Sequence, residues 1–434
     1  MAISFVDTAA PLAPAPTVSR RYAWLVFGLT FGLLLSDHMS RQVLNAVFPI
    51  VKAEWGLSDT QLGSLSGVVA LLVGLLTFPL SVAADRYGRV KSIILMALIW
   101  CLATLGCALS NSYGQMLAAR FFVGVGEAAY GSVGIALILS IFPAHMRSTL
   151  TGAFMAGGAV GSILGVSIGG VIAAHFGWRW SFAAMALFGL VLVALYRLLV
   201  AERRLSGAAP KAAAKVAPMA LGRLVRVLFG TPSVRLAYLG SGLQLFIMAA
   251  MVAWIPSYLS RYYHLPTGKA AEMAGLFILS GAIGMVVCGI ITDKLARDVP
   301  ARKWWIAAAY SLISGVLLLV AFRMPFGTAQ LVMIGAGMFL VAGVSGPAGA
   351  MVGNLTPALI HSSAFATLTL ANNLLGLAPG PFLTGVVADR IGLNGAMQIV
   401  PLIAIAAGAA FATGHRYYAK DLARLKSAEF QAGV

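Results

Sequence analysis

Two carboxylates and two guanidiniums stand in parts of this chain where charge is rare. Asp37 and Arg41 share one long apolar run, four residues apart; Arg120 and Glu127 share another, seven apart. Those spacings put each pair on one face of a helix, separated by one turn and by two. Of the thirteen acidic residues, Asp37 and Glu127 are the ones that avoid polar loops, tails and the ends of apolar runs. A carboxylate at such depth costs several kcal/mol unless it is protonated or paired. In general, burial raises a carboxyl pKa and a neighbouring guanidinium lowers it. An acid held between the two can take up a proton in one setting and release it in another. A guanidinium in the same place can grip a carboxylate or phosphate in a two-pronged way. The chemistry on offer is therefore proton exchange at Glu127 and Asp37 and anion binding at Arg41, with Arg120 as the second cation. The plainer alternative is that Arg41 balances Asp37 or Glu127 and Arg120 balances Glu127. His38 can relay a proton or simply bond to a neighbouring helix.

The elements that position these groups are legible from composition. The 434 residues are 60% hydrophobic and 10% charged, against about 25% charged in a soluble chain. Apolar runs occur at 22–50, 60–84, 90–110, 114–142, 148–175 and 179–200, and again at 235–259, 271–292, 303–323, 328–351, 362–388 and 393–415. Each exceeds the ~20 residues a helix needs to cross a bilayer. With no water to satisfy the backbone there, helix is the state expected of every run. The expected fold is an all-α integral membrane protein with twelve transmembrane helices in two pseudo-symmetric six-helix bundles. Its segments are an N-terminal tail (1–21), a first bundle (22–200), a linker (201–234), a second bundle (235–415) and a C-terminal tail (416–434).

The net charge of +17 raises nucleic-acid binding, but the basic residues collect in alternate loops. One set holds Arg20, Arg21, Arg86, Arg89, Lys91, Arg203, Arg204, Lys294, Arg297, Arg302, Arg416 and Lys420 among others. The opposite set holds only Lys52, Arg179, Arg261, Lys269, Arg323 and Arg390. The charge is a topology signal that places both termini in the cytoplasm, and no nucleic-acid partner is expected. Residues 1–19 lack the charged start and cleavage site of a signal peptide, so the first run is expected to stay in the mature chain. The linker is basic and rich in Ala, Gly and Pro, with a short amphipathic helix expected around Leu221–Phe229.

The two bundles resemble each other in sequence. Ser81-Val-Ala-Ala-Asp85-Arg86-Tyr-Gly88-Arg89 after the second run has a counterpart in Gly289-Ile-Ile-Thr-Asp293-Lys294 after the eighth. Gly170-Val-Ile-Ala-Ala-His-Phe-Gly177 after the fifth matches Gly385-Val-Val-Ala-Asp389-Arg390-Ile-Gly392 after the eleventh. A duplicated six-helix unit accounts for both. The second bundle has no buried charge to match the first. It offers Gln244, Trp254 and Tyr258 in the seventh run and Asn372 and Asn373 in the eleventh. These can orient a substrate or bond between helices.

The Asp85-Arg86-x-Gly88-Arg89 loop resembles the signature of the major facilitator superfamily, and the resemblance covers nearly the whole chain. Gly56-Leu-Ser-Asp59-Thr60-Gln61-Leu62-Gly63, Arg120-Phe-Phe-Val-Gly124-Val-Gly126-Glu127-Ala128 and Asn372-Asn373-Leu-Leu-Gly376-Leu-Ala-Pro-Gly380-Pro together resemble the bacterial Spinster-like group. The Arg120–Ala128 stretch is also similar to that of anion:cation symporters. Both groups usually place an acid directly before the first-helix arginine; here that position is Ser40, and the acid stands one turn earlier at Asp37. The resemblance implies that the first and fourth helices line a central cavity, and that Asp85, Arg86, Arg89 and Asp293 latch the halves at the cytoplasmic face.

The expectation is a monomeric, proton-coupled secondary transporter in the bacterial inner membrane. It would move an organic or lipid-like anion by alternating access, with protons and membrane lipids as its other partners. A drug/proton antiporter is the alternative, because Gly161-Ser-Ile-Leu-Gly165-Val-Ser-Ile-Gly169 is similar to the glycine motif of exporters. That motif usually carries a proline where Val166 stands. A membrane-embedded lipid hydrolase is a weaker one. Gly63-Ser-Leu-Ser66-Gly67 sets serines between glycines as a hydrolase elbow does, but its central residue is Leu65 and it sits on a helix with no strand before it. No HExxH, CxxC or phosphate-loop pattern occurs, so no cofactor, metal or catalytic residue is expected.

Overall fold

Long apolar stretches with no strand-forming alternation leave helix as the economical backbone state in lipid, and helices are what the chain forms. The computed structural model describes residues 18–143, 146–205, 229–356 and 361–432. The first half comprises α1 (Arg20–Trp55), α2 (Asp59–Tyr87), α3 (Arg89–Leu109), α4 (Tyr113–Glu127), α5 (Tyr130–Ile141), α6 (Arg147–Phe176) and α7 (Trp178–Leu199). A short α8 (Glu202–Leu205) follows. The second half comprises α9 (Pro232–Tyr262), α10 (Thr267–Leu295), α11 (Arg302–Ala321), α12 (Thr328–Ala342), α13 (Ser345–Asn354), α14 (His361–Asn372), a π-helical turn (Asn373–Leu377), α15 (Pro379–Ile399) and α16 (Ile403–Ala432). The amphipathic helix expected at Leu221–Phe229 lies, but for its last residue, outside the described residues.

Eleven helical stretches among the described residues are long and apolar enough to cross a membrane, the last running 63 residues from Ser363 to Leu425. At 1.5 Å per residue that last stretch reaches ~95 Å, three times the ~30 Å hydrocarbon core. It breaks at Gly392, whose φ of 79° is left-handed, and so divides into an eleventh and a twelfth crossing. Pairs α4–α5 and α12–α13 each make one interrupted crossing, broken at Ala128–Ala129 and at Gly343–Val344 respectively. The breaks occupy equivalent places in the two halves, as a duplicated unit requires. Phe78, Leu95, Phe122, Leu198, Val332 and Ile405 are exposed on the outside, where lipid rather than water suits them.

The expected C-terminal tail is not separate from the last crossing. Helix α16 continues to Ala432, because no proline interrupts it. It folds back onto its own half through buried Tyr418 and Asp421, and Asp421 accepts the Ser233 backbone N–H at 3.0 Å and its hydroxyl, capping α9.

Among the described residues the halves meet where α1 packs on α9 and α10, α2 on the α14–π–α15 crossing, and α6 on α10. They close at the face away from the termini. One apolar cluster there includes residues of both halves, Phe48, Leu62 and Phe182 with Trp254, Phe277 and Met397. Towards the terminal face the core divides into two clusters, one from the first half around Trp100 and Tyr130 and one from the second around Trp304 and Phe411. The halves therefore meet at the far face and part towards the face that carries the termini.

Candidate functional site

Asp37 lies at the middle of the 36-residue α1, with Arg41 one turn further on. Glu127 is the last residue of α4. Gly124 and Gly126 explain how it gets there. A Cβ on Gly126 would stand 2.6 Å from the Trp100 backbone nitrogen, and one on Gly124 would stand 3.1 Å from the Val69 Cα. The bare backbone lets α4 wedge between α2 and α3, and Glu127 then faces α1. The helix breaks immediately beyond. Thr77 Oγ1 donates to the Ala128 carbonyl at 2.6 Å, and Tyr130 reaches back to the Thr30 carbonyl of α1 at 2.6 Å.

Arg41 pairs across helices with Glu127 and not along its own helix with Asp37. Its Nε and an Nη both reach Glu127 Oε2, at 3.0 and 2.9 Å. The other oxygen, Oε1, is buried without a hydrogen-bond partner, and so is Asp37 Oδ1. Asp37 and Glu127 are thus neighbouring carboxyls, each with an orphaned oxygen. Asp37 Oδ2 lies 3.5 Å from His38 Nδ1, which bonds the Leu34 carbonyl at 3.1 Å. The His38 ring packs on Gly158 of α6. Glu127 is fully covered while the Arg41 and His38 side chains keep 22% and 28% exposure, so these two form the open edge of the cluster and Arg41 is its exposed cation.

Arg120 corrects the expectation. It is 1% exposed, and it donates to three backbone carbonyls: Leu65, Ser40 and Arg41, each at 3.1 Å. It neither pairs with Glu127 nor reaches a cavity. Its work is to tie α4 to α1 and α2 and so to hold the backbone from which Arg41 projects. Beside it, Asn45 donates to Gln42 at 2.6 Å and accepts from Ser66 at 2.8 Å, so the supposed hydrolase serine bonds another side chain in a helix seam.

The second-half candidates divide. Trp254 donates to the Pro381 carbonyl at 3.0 Å and packs on Phe48. Tyr258 donates to Asn394 at 3.1 Å and accepts from Gln330 at 3.2 Å. Both are buried in the closed far end, with their polar atoms spent, and do not face the central cluster. Gln244 donates to Ser314 at 3.0 Å and Asn373 to the Thr369 carbonyl at 2.9 Å, each leaving its amide oxygen buried and unpartnered. Asn372 accepts from Ser241 at 2.8 Å. Asn373 opens the π-turn and packs against Gly74 of α2, a distortion of the kind often found at functional positions.

The sequence matches the profile described as Major Facilitator Superfamily over residues 30–380, most of the chain. The chain belongs to that superfamily. Among similar proteins, a gallate transporter of Pseudomonas putida is 28% identical, over 67% of this chain and 69% of the relative. Protein spinster homolog 1 of Xenopus laevis is 25% identical, over 96% and 85%. Among solved structures, a bacterial homologue of the human lysosomal transporter Spinster, inward-facing and unoccupied, superposes with a TM-score of 0.85 at 20% identity. That match covers 93% of this chain and 99% of the other. Both subgroup resemblances read from the sequence are thus present among the relatives. As a facilitator the chain is a multi-pass membrane transporter and not a hydrolase.

In this facilitator the signature-loop residues do not bridge the halves. Asp85 pairs with Arg89 at 3.1 Å, Arg89 also reaches the Ala136 carbonyl at 3.3 Å, and Asp293 pairs with Lys303 at 3.0 Å. Arg86 is exposed. Every one of those contacts stays within its own half. Among the described residues the cross-half polar contacts are at the far face, on residues that the sequence did not mark as site residues. Arg261 of α9 grips Asp59 of α2 in bidentate fashion at 2.6 and 2.9 Å, and Lys52 adds a third contact at 2.5 Å. Asp389 of α15 accepts the Asp59 and Thr60 backbone N–H groups and the Thr60 hydroxyl, at 2.7, 2.9 and 2.6 Å. The Asp389-Arg390-x-Gly392 repeat was the available signal, but a repeat does not say which helix end its acid will meet.

Proposed function

We propose that this facilitator is a proton-coupled symporter of an organic anion, taking a carboxylate or an amphipathic anionic molecule by alternating access. The observation that carries the reading is the buried cluster: Arg41 bound to Glu127 through one oxygen, with Glu127 Oε1 and Asp37 Oδ1 left unpartnered. An anion entering from the open side meets Arg41, the exposed guanidinium, and competes with Glu127 for its donors. A carboxylate displaced from its partner in a buried site is costly as an anion and takes up a proton. The proton can be held between Glu127 and Asp37, satisfying both orphaned oxygens. Anion and proton then bind together, which is the condition for symport. The gallate transporter among the relatives is named for an organic anion, which supports this substrate class.

The basic face holds the termini, so the open side is the cytoplasmic one in a bacterial inner membrane, and the protein works as a monomer. Gln244 and Asn373 orient the rest of the substrate through their free amide oxygens. The α6 glycines that suggested an antiporter are accounted for by packing on α1: a Cβ on Gly161 would meet Leu35 and His38, and one on Gly165 would meet Met39.

Reconstituted vesicles with an imposed proton gradient test the reading, with labelled gallate, a sugar acid and a lysophospholipid as probes. Glu127→Gln is expected to lose gradient-driven uptake while retaining counterflow exchange. Undiminished gradient-driven uptake by that variant overturns it.

A further inference from the structure

The second and eleventh crossings end in the same four-residue pattern, Asp85-Arg86-Tyr87-Gly88 and Asp389-Arg390-Ile391-Gly392. Both glycines are left-handed, φ 103° and 79°, and each turns the chain into the next helix. The two patterns lie at opposite faces and on helices that pack against each other along one seam. Their acids are in different states. Asp85 is 64% exposed and paired with Arg89 one turn on. Asp389 reaches across the seam and caps the N-terminus of α2, taking two backbone N–H groups and a hydroxyl. Helix N-termini favour carboxylates through their free N–H groups and their dipole.

Three further features mark the far-face contact as a built closure. Bare glycines let the helices touch: a Cβ would stand 2.3 Å from Pro381 O at Gly63, 2.6 Å from Ala378 O at Gly67 and 2.3 Å from Asp59 O at Gly385. Asp59, 3% exposed, sits beneath the capped turn and takes Arg261 from the other half. Charge also closes, since Lys52 and Arg261 balance Asp59 and Asp389. When the halves part, Asp59 keeps Lys52 from its own half, so opening does not strand that buried acid. The polar contacts given up are those made by Arg261 and Asp389, and they are specific to one state.

We propose that Asp389, with the Asp59–Arg261 pair, is a far-face lock working against the Asp85 motif: Asp389 caps the second crossing from the other half while the far face is closed and is released when that face opens. The lock sets the resting balance between the two open states and touches no substrate. It rests on the rocking of two halves and is independent of the proton and anion assignments.

Double electron–electron resonance between spin labels at Gly114→Cys and Thr328→Cys reads the far-face separation in the full-length protein. Both sites are exposed and lie in opposite halves, while Cys101, Cys107 and Cys288 are buried. Measured without substrate or gradient, the unaltered lock is expected to give mainly the short distance. Asp389→Asn and Arg261→Gln should each raise the long-distance population about tenfold or more. Asp85→Asn should deplete it, and Asp85→Asn/Asp389→Asn should return it towards the starting balance. Arg261→Gln leaves Asp59 paired with Lys52, so it keeps the test open if Asp389→Asn does not fold. Unchanged distances in the folded single variants, or a double variant that matches Asp85→Asn alone, overturn the lock. Because no transport is read, failure of the symport reading leaves this outcome untouched.

Discussion

Arg41 and Arg120 show how two guanidiniums of similar depth divide by their surroundings. Arg41 has one carboxylate oxygen and an open edge, whereas Arg120 has three carbonyls and none. Loss of a charge-assisted contact costs about 1.5–3 kcal/mol, or roughly tenfold to a hundredfold in affinity. Arg41→Gln should therefore weaken anion binding by that factor in calorimetry, and Arg41→Lys should recover only part of it, since an ammonium lacks the planar fork. Neutral analogues should be indifferent to either change. Arg120→Leu should act differently. It removes the tie between α4, α1 and α2 and should cost about 2–4 kcal/mol of stability, seen as a lower melting temperature in detergent. If Arg120→Leu instead melts normally and binds the anion poorly, Arg120 is a substrate ligand after all.

At the scale of elements, the position of Glu127 depends on glycines more than on the acid's own neighbours. Gly126 lies against the backbone of α3, and a methyl there must push α4 away. Gly126→Ala is expected to lose about 1–3 kcal/mol of stability and, by shifting Glu127 from Arg41, to slow gradient-driven uptake. Gly131→Ala in α5, where nothing lies within 4 Å of a new Cβ, is the matched control and should do neither. Comparable losses in both would mean that helix breaking at Ala128–Ala129, and not the wedge, sets the site.

At the scale of the whole molecule, transport requires the closed far face to open. Ala174 at the end of α6 and Gly268 at the start of α10 belong to opposite halves, and a Cβ on Gly268 would stand 3.4 Å from that of Ala174. That is close to the Cβ separation a disulfide spans. Ala174→Cys/Gly268→Cys is expected to cross-link on oxidation, to stop net uptake and exchange alike, and to recover on reduction. Continued uptake by the fully cross-linked protein would mean that the halves need not part there.

Crossings, halves and the charged quartet were legible in the sequence because lipid imposes helix on every apolar run and penalises every buried charge, whatever the neighbours. Asp37, Arg41, Arg120 and Glu127 stand out on that ground alone. The partners were not legible. Arg41 chose Glu127 over Asp37, 86 residues away against four, because the glycine wedge of α4 brings that carboxylate to α1. Arg120 went to carbonyls that every helix carries and no pattern marks. Trp254 and Tyr258 read as cavity residues by type, yet their helix dips into the closed end, where each found a polar partner. Asp389 looked like one more loop acid until the eleventh crossing set it over the first turn of the second. Which residues are charged at depth follows from a single chain's composition. Which of them meet depends on how two bundles lean together.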